Sequence, residues 1–263
     1  MASVQRNSLY IEGKVGLHRW HPLTKLTLSG YFLVGAATLP NIEILLLAFV
    51  ILLLPLAAWS GVLRPFIKSC FTVVMPFVIS LAVIQGFFTP GETELFHLGR
   101  FVFTLEGLLS GETVAARILL ALGGALLLML STRPDHLMLA LTQRGLPNSL
   151  AYIVLTSLQI FPRFQDRARV ILEAQQSRGL ETQVSFFRRA RLLVPLTGPL
   201  ILSSILDVEE RAMALEARAF SRPGPRTSLI VLRDSFSQRV LRILLFLAIV
   251  ALFVQRIWVL FSR

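Results

Sequence analysis

The chain is poor in charge and has almost no cysteine. Only 16% of its 263 residues are Asp, Glu, Lys or Arg, whereas a soluble domain carries about a quarter. Its single thiol, Cys70, excludes an internal disulfide and a cysteine-based metal site. Lying inside an apolar run, Cys70 suits a small packing residue. No Gly-x4-Gly-Lys-Ser/Thr phosphate loop occurs, so any ATP hydrolysis is expected from another chain. His18, His21, His97 and His136 show no His-x3-His spacing, and neither a metal nor a cofactor is expected. The first 21 residues are polar, without the apolar core of about 7–15 residues that a signal peptide needs.

What the chain has in abundance is apolar sequence, 54% of the total. Several stretches approach the roughly 20 residues that cross a bilayer. The expected fold is therefore an all-α integral membrane protein with about five transmembrane helices and a cytoplasmic helical region. His21-Pro22 opens the first span, 22–39, with Pro in the first helical turn. Pro40-Asn41 must break the pattern, since one helix over 26–59 would be about 51 Å long. The next spans are placed at 42–59, with a kink at Pro55, and at 66–88. A loop over 89–112 carries Glu92, Glu94, Glu106 and Glu112 against Arg100 alone. Spans at 113–131 and about 240–260 complete the set, giving segments 1–131, 132–239 and 240–263.

The formal net charge of +11 invites a nucleic-acid partner, but the charges follow a membrane topology instead. Arg6, Lys14, Arg19 and Lys25, then Arg64 and Lys68, place the N-terminus and the second loop in the cytoplasm. The glutamate-bearing loop falls outside, and five spans leave Arg263 outside too. A basic cytoplasmic face beside anionic lipid accounts for the charge, and no nucleic acid is expected.

Residues 132–239 contain 15 Arg, no Lys and 9 acids. Their two apolar runs, 146–161 and 192–206, are short for spans. Crossing the bilayer with them would export seven arginines against three acids, against the positive-inside bias. They are read as amphipathic or shallow helices on the cytoplasmic side.

This segment holds a repeated hexad. Ala174-Gln175-Gln176-Ser177-Arg178-Gly179 and Ala214-Leu215-Glu216-Ala217-Arg218-Ala219 share Ala-x-Gln/Glu-x-Arg-Gly/Ala, forty positions apart. Ile201, Ile205, Val208, Ala212, Leu215 and Ala219 form one helical stripe, and Phe164, Ala168 and Ile171 begin another. Asp207 and Arg211 form an i,i+4 pair. Arg222-Pro223-Gly224-Pro225 ends the second helix, and Gly179 suits a left-handed C-cap. An Arg in a last turn complements the helix dipole without any partner. Recurrence, the Gln or Glu two residues earlier and the small flanking residues favour docking instead. A guanidinium with five donors can then enter a groove on another protein. The candidate site is Ala174, Gln176, Arg178 and Gly179 with Ala214, Glu216, Arg218 and Ala219.

The paired motifs resemble the coupling motifs of the transmembrane T component of energy-coupling factor transporters, the family that includes the cobalt and biotin T subunits. His18-Arg19-Trp20-His21-Pro22-Leu23-Thr24-Lys25-Leu26 is similar to that family's Leu-x-Pro-x-Thr-Lys-Leu-type opening of the first span. Ala219 departs from Gly179 and weakens the C-cap argument there. The resemblance implies a non-catalytic subunit in a prokaryotic cell membrane. It would bridge two ABC ATPase subunits and a small membrane-embedded substrate-binding S component for a vitamin or metal ion. Arg178 and Arg218 would each enter one ATPase, and the two apolar runs would carry the S component. A conventional ABC importer permease, or a polytopic enzyme using Asp207, Glu209 and Glu210 for metal, stands as the alternative.

Overall fold

A computed structural model describes residues 16–89, 93–98, 101–178, 194–222, 224, 230, 232 and 234–261. The chain divides into two compact units, residues 8–147 with 232–263, and residues 1–7 with 148–231. It is an all-α membrane protein with, among the described residues, one short antiparallel pair of strands.

In the larger unit a single 3-10 turn, Gly16–Arg19, leads to α1, Pro22–Thr38. His21 caps α1 by accepting the Leu23 N–H on Nδ1 at 3.3 Å, and Pro22 sits where a missing N–H costs nothing. After the Pro40 break come α2 (Ile42–Ala48), a π-helical stretch over Phe49–Leu53 and α3 (Leu54–Trp59). The π stretch lies just ahead of Pro55, the expected kink, and the Leu54 N–H bonds back to the Phe49 carbonyl. A proline removes one ladder bond and crowds the preceding turn, and wider π geometry absorbs both effects. Then follow α4 (Leu63–Phe88), β1 (Glu94–Leu98), β2 (Phe101–Thr104), α5 (Leu105–Ser131) and α6 (Pro134–Thr142).

Two details differ from the sequence reading. The 89–112 segment is not wholly a loop, because β1 and β2 pair antiparallel within it. Helix α5 also starts at Leu105, two turns before the expected 113. Thr104 explains the early start: its hydroxyl accepts the Gly107 N–H at 3.2 Å and donates to the Thr89 carbonyl at 2.8 Å. That N-cap ties the end of α4 to the start of α5.

Side-chain contacts fix the helix directions. Lys25 meets Ser131, Phe32 lies against Gly124, and Arg117 reaches the Leu39 carbonyl at 3.5 Å. Thus α1 runs antiparallel along α5. The backbone of Gly111 faces Leu81 and Ala82, so α4 is antiparallel to α5 too. At Gly124 an added Cβ would stand 2.8 Å from Phe32 Cβ, so only glycine allows α1 this close. Leu17, Phe32, Leu45, Leu53, Phe66, Cys70, Leu120 and Leu127 fill the core between these helices. Cys70 is therefore a packing residue.

The last helix of the unit is the final one in the chain, Phe236–Phe261. It lies beside α1, with the His21 N–H donating to Gln238 Oε1 at 2.8 Å and Gly30 facing Ile249. Its apolar side chains are otherwise largely exposed, as lipid-facing residues are. Among the described residues, four stretches have the length and hydropathy of a bilayer crossing: Ile42–Trp59, Leu63–Phe88, Leu105–Ser131 and Phe236–Val259. Helix α1, with 17 residues or about 26 Å, is slightly shorter and packs along α5.

The smaller unit is built on α7 (Asn148–Ser177) and α8 (Val194–Ala217); the final helix of the chain is α9. Each of α7 and α8 is continuous through an internal proline, Pro162 and Pro199 respectively. Neither meets the criteria of a span among the described residues.

Candidate functional site

Helices α7 and α8 pack antiparallel. Tyr152, near the start of α7, meets Phe220, just past the end of α8, with ring centroids 5.2 Å apart. Midway, Arg167 Nη1 donates to the Ser203 carbonyl at 3.0 Å, and Nη2 forms a short ion pair with Asp207. Arg211 completes the expected i,i+4 pair with Asp207 at 3.7 Å. One carboxylate is thus shared by an arginine of its own helix and one of its neighbour. Such a partly exposed pair contributes little energy but sets the register of the two helices.

The face of α8 turned to α7 carries Ser203 and Asp207, not the whole apolar stripe seen in the sequence. Ile201, Ile205 and Val208 of that stripe remain half or more exposed. On α7, Ile153, Leu158, Phe161 and Val170 are exposed to a similar degree. The pair therefore leaves apolar side chains of both helices exposed rather than packed against each other.

The docking candidates occupy the ends of these helices. Ala174 and Gln176 lie exposed in the last turn of α7, and Arg178 is exposed in the turn that follows. The Arg178 N–H donates to the Gln175 carbonyl at 3.1 Å. Gly179 lies outside the described residues. In the second motif Ala214 and Glu216 are exposed on the last turn of α8, and Arg218 and Ala219 are exposed in the turn beyond.

The second helix end has a well-defined geometry. Ala219 adopts φ +55°, the left-handed conformation that normally calls for glycine. Its N–H donates to the Glu216 carbonyl at 2.8 Å, and the Phe220 N–H donates to the Leu215 carbonyl at 2.9 Å. These two bonds make a Schellman motif with Ala219 at C′. The position that is glycine in the first hexad is therefore a true left-handed cap in the second, despite its Cβ. Phe220 then folds back onto Tyr152, anchoring the turn that presents Arg218.

The antiparallel pairing sends the two motifs to opposite ends of the pair. Arg218 lies at the Tyr152 end, and Arg178 lies 26 residues farther along α7, about 39 Å at 1.5 Å per residue. The arrangement does not bring the motifs together; it places them at opposite ends of the helix pair. Sequence reasoning missed Arg167, whose partner lies forty positions away and is visible only once the helices pair.

Elsewhere, Asp234 accepts from Arg242 at 2.8 Å and Arg239 at 3.2 Å, with Arg144 at 3.6 Å. Burial raises its pKa, but Arg242, His21 and Arg239 outweigh that and hold it below the usual carboxylate value. This cluster joins α6, α9 and the N-cap of α1. No group of His, Cys, Asp and Glu among the described residues could hold a metal ion.

Comparison with known proteins sharpens the picture. The sequence pattern of the cobalt transport protein family, CbiQ, matches residues 13–229. The chain is 30% identical over 234 residues to the energy-coupling factor transporter transmembrane protein EcfT of Lacticaseibacillus paracasei, covering 85% of this chain and 88% of that one. It is 31% identical over 243 residues to EcfT of Listeria innocua, covering 89% and 91%. Against EcfT of Heliobacterium modesticaldum it is 30% identical over 222 residues, covering 81% and 83%.

Proposed function

The chain belongs to the family of cobalt transport proteins and energy-coupling factor T components, and from that premise we propose that it couples two ABC ATPase subunits to a small membrane-embedded S component. The observation that carries this reading is the pair of Arg-bearing helix ends, placed at opposite ends of one antiparallel helix pair. One helix pair with a similar Arg motif at each end suits a partner present in two copies. Arg178, with Ala174, Gln176 and Gly179, docks on one ATPase. Arg218, with Ala214, Glu216 and Ala219, docks on the other.

The exposed apolar surface of α7 and α8 carries the S component and its surrounding lipid. ATP-driven closure of the ATPases moves the two tips, and the helix pair passes that motion to the S component. The ATPases perform the hydrolysis. In this reading the N-terminus and residues 132–239 lie in the cytoplasm of a prokaryote, the helices of 1–131 and 240–263 lie in its cell membrane, and the cargo is a vitamin or a metal ion held by the S component.

Charge reversal tests the docking. Arg178→Glu with Arg218→Glu should abolish recovery of the ATPases on the tagged chain, while each single change leaves about one ATPase bound. Full recovery in the double variant refutes the assignment.

A further inference from the structure

The forty-position offset that relates the two hexads also relates Arg167 to Asp207, and these two residues meet across the helix pair. Arg167 lies eleven positions before Arg178, and Asp207 lies eleven before Arg218. In an antiparallel pair, a contact between equivalent positions falls equally far from equivalent ends. Beyond it α7 runs ten residues to Ser177 and α8 ten residues to Ala217, about 15 Å each at 1.5 Å per residue. Neither of these arms contains glycine or proline. Pro162 and Pro199 both precede the contact, so any bend they cause falls outside the arms.

Charge makes this point an attachment. Like residues at equivalent positions would bring like groups together, but here one helix supplies a guanidinium and the other a carboxylate. Their side chains are 38% and 28% exposed, so the contact is partly shielded from water. Arg167 grips in two directions: Nη1 donates to the Ser203 carbonyl at 3.0 Å, one turn earlier in α8, while Nη2 meets Asp207. A planar fork held at two points resists both sliding and rotation. Arg211, 3.7 Å from the second Asp207 oxygen, holds the carboxylate from its own helix. The neighbouring apolar residues of α8 offer little to replace this grip, since Ile201, Ile205 and Val208 stay half or more exposed.

We propose that Arg167 and Asp207 are positioning residues that join the two Arg-bearing ends at a central pivot, so that both ends move by equal amounts when the ATPases close; this assignment rests on the docking reading above. Equal arms give equal displacements when one helix turns on the other about the contact. An off-centre contact would move one end farther. Two ATPases that each hold one end require the equal case.

The test places nitroxide labels at Glu173→Cys and Met213→Cys in a chain that also carries Cys70→Ala. Both labelled positions are exposed, and each lies six residues past the contact, outside the docking residues. The full chain is purified with its associated ATPases, and double electron–electron resonance measures the label separation without nucleotide and with ATP plus vanadate. One narrow distance is expected, shifting as a whole with ATP. Arg167→Met and Asp207→Asn should each broaden the nucleotide-free distribution about twofold or more and remove the uniform shift, with the number of bound ATPases unchanged. Arg167→Lys keeps the charge without the fork and should give an intermediate width. Glu210→Gln, at an exposed carboxylate, should leave the distribution as it was. Either variant of the pair suffices if the other does not fold. Narrow, ATP-responsive distributions in the folded variants overturn the pivot, and so does a lowered melting temperature with no change in distribution. If the unaltered chain brings no ATPase with it, the docking reading falls alone, and the nucleotide-free widths still decide whether the pair holds the ends.

Discussion

Ala219 is the position where a single methyl group has the most legible consequence. At φ +55° its Cβ is strained by about 1–2 kcal/mol, and glycine would relieve this. Glycine returns about 0.5–1 kcal/mol of that gain through its greater freedom in the unfolded chain. The net expectation for Ala219→Gly is a gain of about 0.5–1 kcal/mol at the end of α8. The energy belongs to two bonds, from the residue 219 N–H to Glu216 and from the Phe220 N–H to Leu215. Hydrogen exchange at these two amides should therefore slow by about two- to fivefold. Ala219→Val places a β-branched side chain where it is a steric outlier, and exchange should accelerate by more than fivefold. Faster exchange in the glycine variant, or equal rates in the glycine and valine variants, would refute the left-handed cap.

Other expectations follow from packing and charge. Gly124→Ala forces Cβ to 2.8 Å from Phe32 Cβ and should cost about 1–3 kcal/mol, whereas Gly30→Ala, whose nearest neighbour is Ile249 Cδ1 at 4.0 Å, should be neutral or stabilising by up to about 1 kcal/mol; detergent melting curves compare them. Burial, with Arg242, Arg144 and Arg239 adding and Asp234 opposing, lowers the pKa of His21. The unfolded chain therefore takes up the proton more readily, so stability is complete above about pH 6.5 and falls as the pH drops below it. His21→Asn keeps an N-cap acceptor without titrating, so its melting temperature should fall less between pH 7.5 and 5.5; equal falls would exclude His21 as the titrating group. Asp234 has the depressed pKa, and its contribution is present at neutral pH and lost as the pH falls below about 4. Asp234→Asn at pH 7 should cost about 2 kcal/mol or more by leaving Arg242, only 12% exposed in its side chain, without its counter-ion, and should remove that acid-sensitive transition.

Much of the membrane unit was legible because local signals fixed it. Pro22 opened α1, Pro40 separated it from α2, and the long apolar runs had no other physical home. The early start of α5 was missed because Glu106 and Glu112 masked a helix that begins in a polar turn. Yet Thr104 was there as an N-cap signal. The strand pair was hidden for a related reason, since charge composition revealed the side of the membrane and not the backbone pairing.

The candidate site was legible only as a repeat. Two hexads forty residues apart pointed to two helix ends, and the Gly179 position of the first pointed to the left-handed cap of the second. The doubt raised by Ala219 is resolved by its backbone, which adopts that conformation anyway. What local sequence could not give was the pairing of α7 with α8. Arg167 and Asp207 are forty residues apart, and Asp207 already had a local partner in Arg211. The stripe of Ile201, Ile205 and Val208 was correctly periodic, but periodicity alone does not say which neighbour a face meets. Lys25 and Ser131 illustrate the same limit across 106 positions.

The central claim is a stoichiometry, and it is best tested by purifying the tagged chain from its native membrane in mild detergent and counting its partners. Two ATPase chains and one small hydrophobic protein per copy are the predicted result. Recovery of the chain alone, or as a homodimer with one ATPase per copy, would contradict the account.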